Sequence, residues 1–147
     1  MLSTIFDPRY IKLDLESTTK TGAFGEIIET IAESDPKYDR QELMEAVILR
    51  ENKMKTIIMP GIAVPHGYIN SVKGIVGAVG FSRAGIKYDK DNPNPVHIFF
   101  MLLMDEISRE KHIQVFSRLL EMLNSTSFEE IAGMETPREL FELISRF

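Results

Sequence analysis

Apolar and polar residues alternate over "YIKLDL" (10–15), setting Ile11, Leu13 and Leu15 on one side of an extended chain, the period of a strand with one buried face. The period then lengthens. Over "STTKTGAFGEIIETIAES" (17–34), Phe24, Ile27, Ile28, Ile31 and Ala32 recur at helical spacing behind Ser and Thr residues that can cap a helix. Two glycines weaken the first turns of this helix without forbidding it. Asp35-Pro36 breaks the pattern, and Asp39 with Glu42 forms a D-x-x-E capping box for a second helix. Leu43, Ala46, Val47 and Arg50 share one face of it, so an apolar stripe ends on a cation.

After Asn52 the chain is irregular through "KMKTIIMPG", and "IAVPH" then reads as a strand ended by its proline. "GIVGAVGF" (74–81) is a second strand, with Ile75, Gly77, Val79 and Phe81 on one face and Val76, Ala78 and Gly80 on the other. "GIKYDKDNPNPV" is rich in Asp, Asn and Pro and is expected to be an exposed loop. "VHIFFMLLM" (96–104) is apolar on both alternating faces, the mark of a central strand covered on both sides. Ser108 can cap a long helix over 109–124, whose apolar positions include Phe116, Leu119, Leu120 and Leu123. A short helix follows around Phe128–Ala132. A last one starts at Thr136, with Pro137 in its first position, Glu139 completing a T-x-x-E box, and Leu140, Phe141 and Ile144 as its buried stripe. No repeat, low-complexity segment or linker interrupts this order. It predicts a single α/β domain over residues 1–147, with a central mixed (parallel/antiparallel) sheet flanked by helices on both faces.

Composition narrows the chemistry. A 147-residue chain with 44% hydrophobic and 27% charged residues is that of an ordinary soluble domain. Its net charge of −5 and scattered Lys and Arg argue against a nucleic-acid partner. The absence of cysteine removes disulfides, thiolate zinc sites and cysteine nucleophiles, and fits a reducing compartment. The N-terminus does not have the form of a signal peptide, and "IFFMLLM" is far too short to span a bilayer, so a cytoplasmic protein is expected.

The three histidines carry the candidate chemistry, each weighed against a structural role. His97, inside the apolar strand, is assigned to packing. His66 follows an apolar run and is held between Pro65 and Gly67; a neutral imidazole nitrogen there is a good nucleophile. His112 falls in the first turn of the 109–124 helix, on the face of Phe116, Leu119 and Leu123. From a helix N-terminus it suits a site for an anion such as phosphate. Arg50 points inward from its own helix, either toward phosphate oxygens, which its planar fork matches, or into a pair with Glu51 or another acid. A nucleophilic histidine, a second histidine and an inward arginine together suggest phosphoryl transfer through histidine, with no metal and no cofactor.

The segments "GIAVPHG" (61–67), "LRE" (49–51) and "REKHIQVFSRLLEML" (109–123) carry a resemblance. The chain is similar, from "YIKLDL" to "TPRELFELI", to the IIA components of the fructose/mannitol class of the bacterial phosphoenolpyruvate-dependent sugar phosphotransferase system. That type-2 family includes the nitrogen-regulatory IIA proteins. The resemblance implies an α/β fold with a mixed sheet flanked by helices. It implies that His66 is the phosphoryl acceptor, loaded by the carrier protein HPr and discharged to a IIB protein or domain. His112 would be the second active-site histidine, and Arg50 would balance the phosphoryl charge. Two departures stand out. "KTIIMPG" replaces a Ser-Thr pair and a Gly-Ile-Gly run, with Thr56 standing for the hydroxyl partner and expected to help bind the phosphoryl group, and Tyr68 occupies a position where a small basic or polar residue is common.

The expected activity is therefore that of a phosphotransferase component that meets the membrane only indirectly, through the IIC part that selects the sugar. One alternative is a nitrogen-type regulator whose phosphorylation state controls a kinase or transporter. Another is a IIA-like binding module without phosphotransfer. A hydrolase using His66 as base ranks below these, since no Ser or Cys nucleophile sits in a recognisable elbow.

Overall fold

The computed structural model describes residues 1–147 and contains a six-stranded mixed sheet with helices on both faces. The strands are β1 (Phe6–Lys12), β2 (Ile57–Met59), β3 (Ile62–Ala63), β4 (His66–Tyr68), β5 (Ile75–Ile86) and β6 (Val96–Met104). The helices are α1 (Lys20–Ser34), α2 (Arg40–Glu51), α3 (Arg109–Ser125), α4 (Phe128–Ala132) and α5 (Pro137–Ile144). The sheet order is β1-β5-β6-β3-β2, with β4 also beside β6. β1 runs parallel to β5, β5 antiparallel to β6, and β3 and β4 both parallel to β6, while β2 turns back antiparallel on β3.

β6 is the centre of the molecule, and its uniformly apolar sequence follows from that position. Ile98, Phe100, Leu102 and Met104 face a core built with Val115, Leu119, Met122, Leu140 and Ile144 of α3 and α5. Phe99, Met101 and Leu103 face a second core with Phe24, Ile27, Ile31, Leu43 and Val47 of α1 and α2. On β5, Val79 and Phe81 join the first core and Ala78 the second, as their alternation requires. The small residues on β5 admit close neighbours: a methyl added at Gly77 would come within 2.6 Å of the Phe6 ring.

Local signals place most element ends. Thr19 caps α1 by accepting from Gly22 N–H, and Thr136 and Glu139 form the complete capping box of α5, with Pro137 at its first position. The box expected for α2 is half made. Asp39 accepts from Gln41 N–H and Glu42 N–H, but the Glu42 carboxylate accepts from Ser71 Oγ instead of reaching back. Ser108 stands at the N-terminus of α3 without a side-chain capping bond; the preceding turn is held by Asp105, which accepts from Ser108 N–H. Leu120 and Phe128 lie outside the core, each 39% exposed, and Val115 and Met122 take the inward positions of α3.

Four elements differ from their reading in the sequence, one being β2, which forms inside the stretch read as irregular because β3 offers it an antiparallel partner. The first strand lies at Phe6–Lys12 rather than 10–15. It is an edge strand that tolerates Pro8, and its register shifts between Phe6 and Ile11. Leu13 and Leu15 are still buried, but the chain has left the ladder there apart from Leu15 N–H, which donates to Phe81 O. β5 continues past Phe81 to Ile86, because β6 supplies a partner as far as Val96. The segment before His66 does not end at Pro65 either. β3 and β4 are two pieces on the same side of β6, and the ladder resumes with His66 opposite Leu102.

Candidate active site

The break between β3 and β4 shapes the site. Pro65 has no N–H, so its position lacks a donor, although its carbonyl still accepts from Leu102 N–H at 3.0 Å. The Val64 carbonyl, outside both strand segments, is taken by a side chain: His66 Nδ1 lies 3.0 Å from it. A carbonyl only accepts, so Nδ1 carries the hydrogen and Nε2 of neutral His66 carries the lone pair. The ring is 4% exposed. Burial depresses its pKa, an effect opposed by the Val64 carbonyl and Glu51 and reinforced by Arg50.

Gly67 lets this segment lie against α2. A methyl there would stand 3.0 Å from the backbone carbonyl carbon of Ala46 and 3.0 Å from Val47 N. Close approach, rather than any unusual backbone angle, is what the position demands.

α3 delivers His112 to the same place. Its ring centroid is 4.8 Å from that of His66 and 4.4 Å from that of Phe116. Its Nδ1 lies 3.5 Å from the Tyr68 hydroxyl, and its Nε2 is buried without a hydrogen-bond partner. The pKa of His112 is pushed down to about 4, first by burial and then by repulsion from a proton on His66 and from Arg50 and Arg109. Both imidazoles are thus neutral at pH 7 in an electropositive setting, which suits a nucleophile and a hydrogen-bond donor for an incoming anion.

Arg50, in the last turn of α2, donates from Nη1 to Met54 O at 2.9 Å and enters no ion pair. Its remaining donors are left for other acceptors. It lines a cleft of about 200 Å³ with Ala46, Leu49, Lys53, Tyr68, Glu106 and Arg109. A larger cleft, of about 450 Å³ and lined by Glu129, Glu130, Glu139 and Glu142, is not lined by Arg50 or Tyr68.

The pairing of Arg50 with Glu51 does not occur. Glu51 points the other way and is 4% exposed, accepting from Tyr88 Oη at 2.6 Å, Thr56 Oγ1 at 2.8 Å and Thr56 N–H at 3.2 Å. Lys20 Nζ stands 3.8 Å from it. The Thr56 hydroxyl, expected to help bind a phosphoryl group, is instead committed to the Glu51 carboxylate, and its connection to the histidines runs through backbone. Val64 N–H donates to Thr56 O at 2.9 Å, and Val64 O holds His66. Three hydrogen bonds in series therefore tie Glu51 to the His66 ring. Tyr88, expected in an exposed loop, is 3% exposed, and burial, with the Glu51 oxygen on its hydroxyl as a second cause, pushes its pKa up.

The structure brings His66, His112 and Arg50 into one site and leaves His97 outside it. His97 donates from Nδ1 to Ser82 O at 2.8 Å and packs on Phe81 and Phe128. Sequence reasoning missed Glu51, Tyr88, Lys20 and Arg109 as neighbours of the site. The one available signal was the charged "RE" pair closing an apolar helix face, and it did not reveal which of the two turns inward.

Comparison with known proteins follows the same direction. The family described as "Phosphoenolpyruvate-dependent sugar phosphotransferase system, EIIA 2" matches residues 4–147. The fructose-specific EIIABC component of Bacillus subtilis is 34% identical over 113 residues, which are 77% of this chain but 18% of that protein. A nitrogen regulatory protein of Pseudomonas aeruginosa is 24% identical over 97% of this chain and 94% of its own length. Among solved structures, nitrogen regulatory protein IIA-Ntr from Neisseria meningitidis superposes with a TM-score of 0.84 at 26% identity, covering 97% of this chain and 98% of its own. The mannitol enzyme IIA of Escherichia coli, in its complex with phosphorylated enzyme IIB, has the same fold at 21% identity and a TM-score of 0.75, covering 97% of this chain and all of its own.

Proposed function

The chain belongs to the EIIA type 2 family of the phosphoenolpyruvate-dependent sugar phosphotransferase system, and on that premise we propose that it is a cytoplasmic phosphocarrier acting through His66. Nε2 of neutral His66 attacks the phosphorus of phospho-HPr in line. The P–N bond to the donor histidine breaks as the P–Nε2 bond forms, and the donor imidazole leaves with the electron pair. Such a transfer passes through a loose transition state whose charge sits on three equatorial oxygens. Arg50 supplies a guanidinium for those oxygens and His112 supplies Nε2–H. Thr56 acts from behind, keeping Glu51 and the Val64 turn in place. Residues 1–147 make up one EIIA domain, which discharges to a IIB protein or domain and reaches the membrane only through IIC.

The observation that carries the proposal is the bond from His66 Nδ1 to the Val64 carbonyl, which leaves Nε2 as the basic nitrogen on a ring 4.8 Å, centroid to centroid, from that of His112, whose own Nε2 is unpartnered. Exposed apolar side chains on α2, on the loop after it and around the start of α3 suit transient docking: Leu49, Met54, Ile107 and Ile113 are 66%, 68%, 92% and 72% exposed. The test is intact mass after incubation with PEP, enzyme I and HPr. One added phosphoryl group, absent from His66→Ala, is expected. No added group, or one that survives His66→Ala, refutes the proposal and leaves a IIA-like binding module.

The near full-length likeness to nitrogen regulatory proteins supports a second reading, in which the phosphorylation state of His66 controls a partner kinase or transporter. Mixing the phosphorylated protein with a fructose-type IIB separates the two. Transfer supports sugar uptake, and retention of the phosphoryl group supports regulation.

A further inference from the structure

Tyr68 is where the chain departs from the residue types common after the glycine, and the site is built around it. It follows His66 by two residues in β4, so both side chains leave the same face of the strand, their rings edge to face at 6.3 Å and 87°. The Arg109 guanidinium sits over the Tyr68 ring at 4.6 Å and seats it at the mouth of the cleft shared with Arg50. The Tyr68 hydroxyl then points to Nδ1 of His112 at 3.5 Å, while Nε2 on the far side of that ring is buried and unpartnered.

We propose that Tyr68 is a positioning residue that sets the tautomer of His112: it donates its phenolic hydrogen to Nδ1 and so keeps the imidazole hydrogen on Nε2, where a phosphoryl oxygen is received. The role in transfer rests on the phosphocarrier reading; the tautomer itself does not.

The direction of the bond follows from donor strength. A neutral imidazole has one N–H, and a phenol O–H is the more acidic donor of the two. The opposite arrangement would turn the Nε2 lone pair toward the anion and leave the phenol accepting from a weaker donor. Burial of His112 keeps it from escaping the choice by protonation. Hydrogen bonds in unloaded sites are commonly long and tighten when the reacting group arrives, which is the state in which this one matters.

The experiment uses full-length ¹⁵N-labelled protein, wild type and Tyr68→Phe, which keeps the ring and its contact with Arg109. Imidazole ¹⁵N–¹H correlations of the unphosphorylated protein near pH 8 should show His112 protonated on Nε2 in the wild type, and a tautomer mixture in Tyr68→Phe with an unchanged melting temperature. Phosphoryl uptake by Tyr68→Phe should slow by about fivefold, the weight of one neutral hydrogen bond. Adding Tyr68→Phe to His112→Gln should cost nothing further. A wild type protonated on Nδ1, or an imidazole pattern unchanged in Tyr68→Phe, overturns the proposal even if uptake slows. If the wild type takes up no phosphoryl group, the functional reading fails, and the spectra still decide the tautomer.

Discussion

Replacing Gly67 with alanine tests whether the placement of His66 depends on the packing of β4 against α2. The added methyl would stand 3.0 Å from the Ala46 carbonyl carbon, 3.0 Å from Val47 N and 3.1 Å from Ala46 Cβ. Carbon contacts settle at about 3.5–4.0 Å, so the two segments must part by roughly half an ångström or more. The neighbouring atoms are mid-helix backbone, which cannot rotate away as a side-chain tip could. Overpacking of this kind costs about 1–3 kcal/mol, and a chain of this size loses roughly 2–4 °C of melting temperature per kcal/mol. Because α2 carries Arg50 and β4 carries His66, the same displacement separates the guanidinium from the His66 ring, and on the proposed function phosphoryl uptake should fall by about tenfold. Gly25→Ala is the control. Its methyl meets nothing within 4 Å inside α1, so it should stabilise the protein by about 0.5–1 kcal/mol. Thermal unfolding and the rate of phosphorylation by phospho-HPr read both variants. A Gly67→Ala protein that melts with the wild type and is phosphorylated at the same rate would refute the argument from close approach.

Two further outcomes follow from the buried groups. Glu51→Ala removes the acceptor of Tyr88 Oη, Thr56 Oγ1 and Thr56 N–H and strands Lys20, and should cost about 3–5 kcal/mol in urea unfolding; an effect below about 1 kcal/mol would mean water replaces the carboxylate. His112, with a folded pKa of about 4 against the ordinary 6.5, takes up its proton more readily unfolded, so its contribution to stability should be constant above about pH 7 and fall as pH drops from 6.5 toward 4. The difference in urea midpoint between wild type and His112→Gln, followed over that range, should shrink on acidification, and a flat difference would contradict the burial argument.

Much of the fold was legible because it is written in short-range chemistry. The two faces of β5, the doubly buried β6 and the caps at Thr19, Asp39 and Thr136 depend on residues within a few positions of one another, where period and side-chain reach decide the outcome. The candidate residues His66, His112 and Arg50 were legible for a similar reason. A histidine between proline and glycine, a histidine in the first turn of an amphipathic helix and an arginine closing an apolar face each announce themselves locally.

Their relation to one another was not. The Glu51–Tyr88 bond spans 37 residues and the Tyr68–His112 contact 44, and no local pattern encodes a partner at that distance. Pro65 illustrates the division. The sequence determined that the ladder must break there, since proline lacks the donor. Only the tertiary structure decided that the strand resumes against Leu102 and that the freed Val64 carbonyl holds the His66 ring, because the position of β6 supplies both the next pairing and the geometry of the turn. Arg50 and Glu51 divide in the same way. Residues side by side in sequence, they point apart because one lies over the open cleft and the other over Tyr88, and it is the packing of α2 on the sheet that sorts the cation to the site and the carboxylate to the interior.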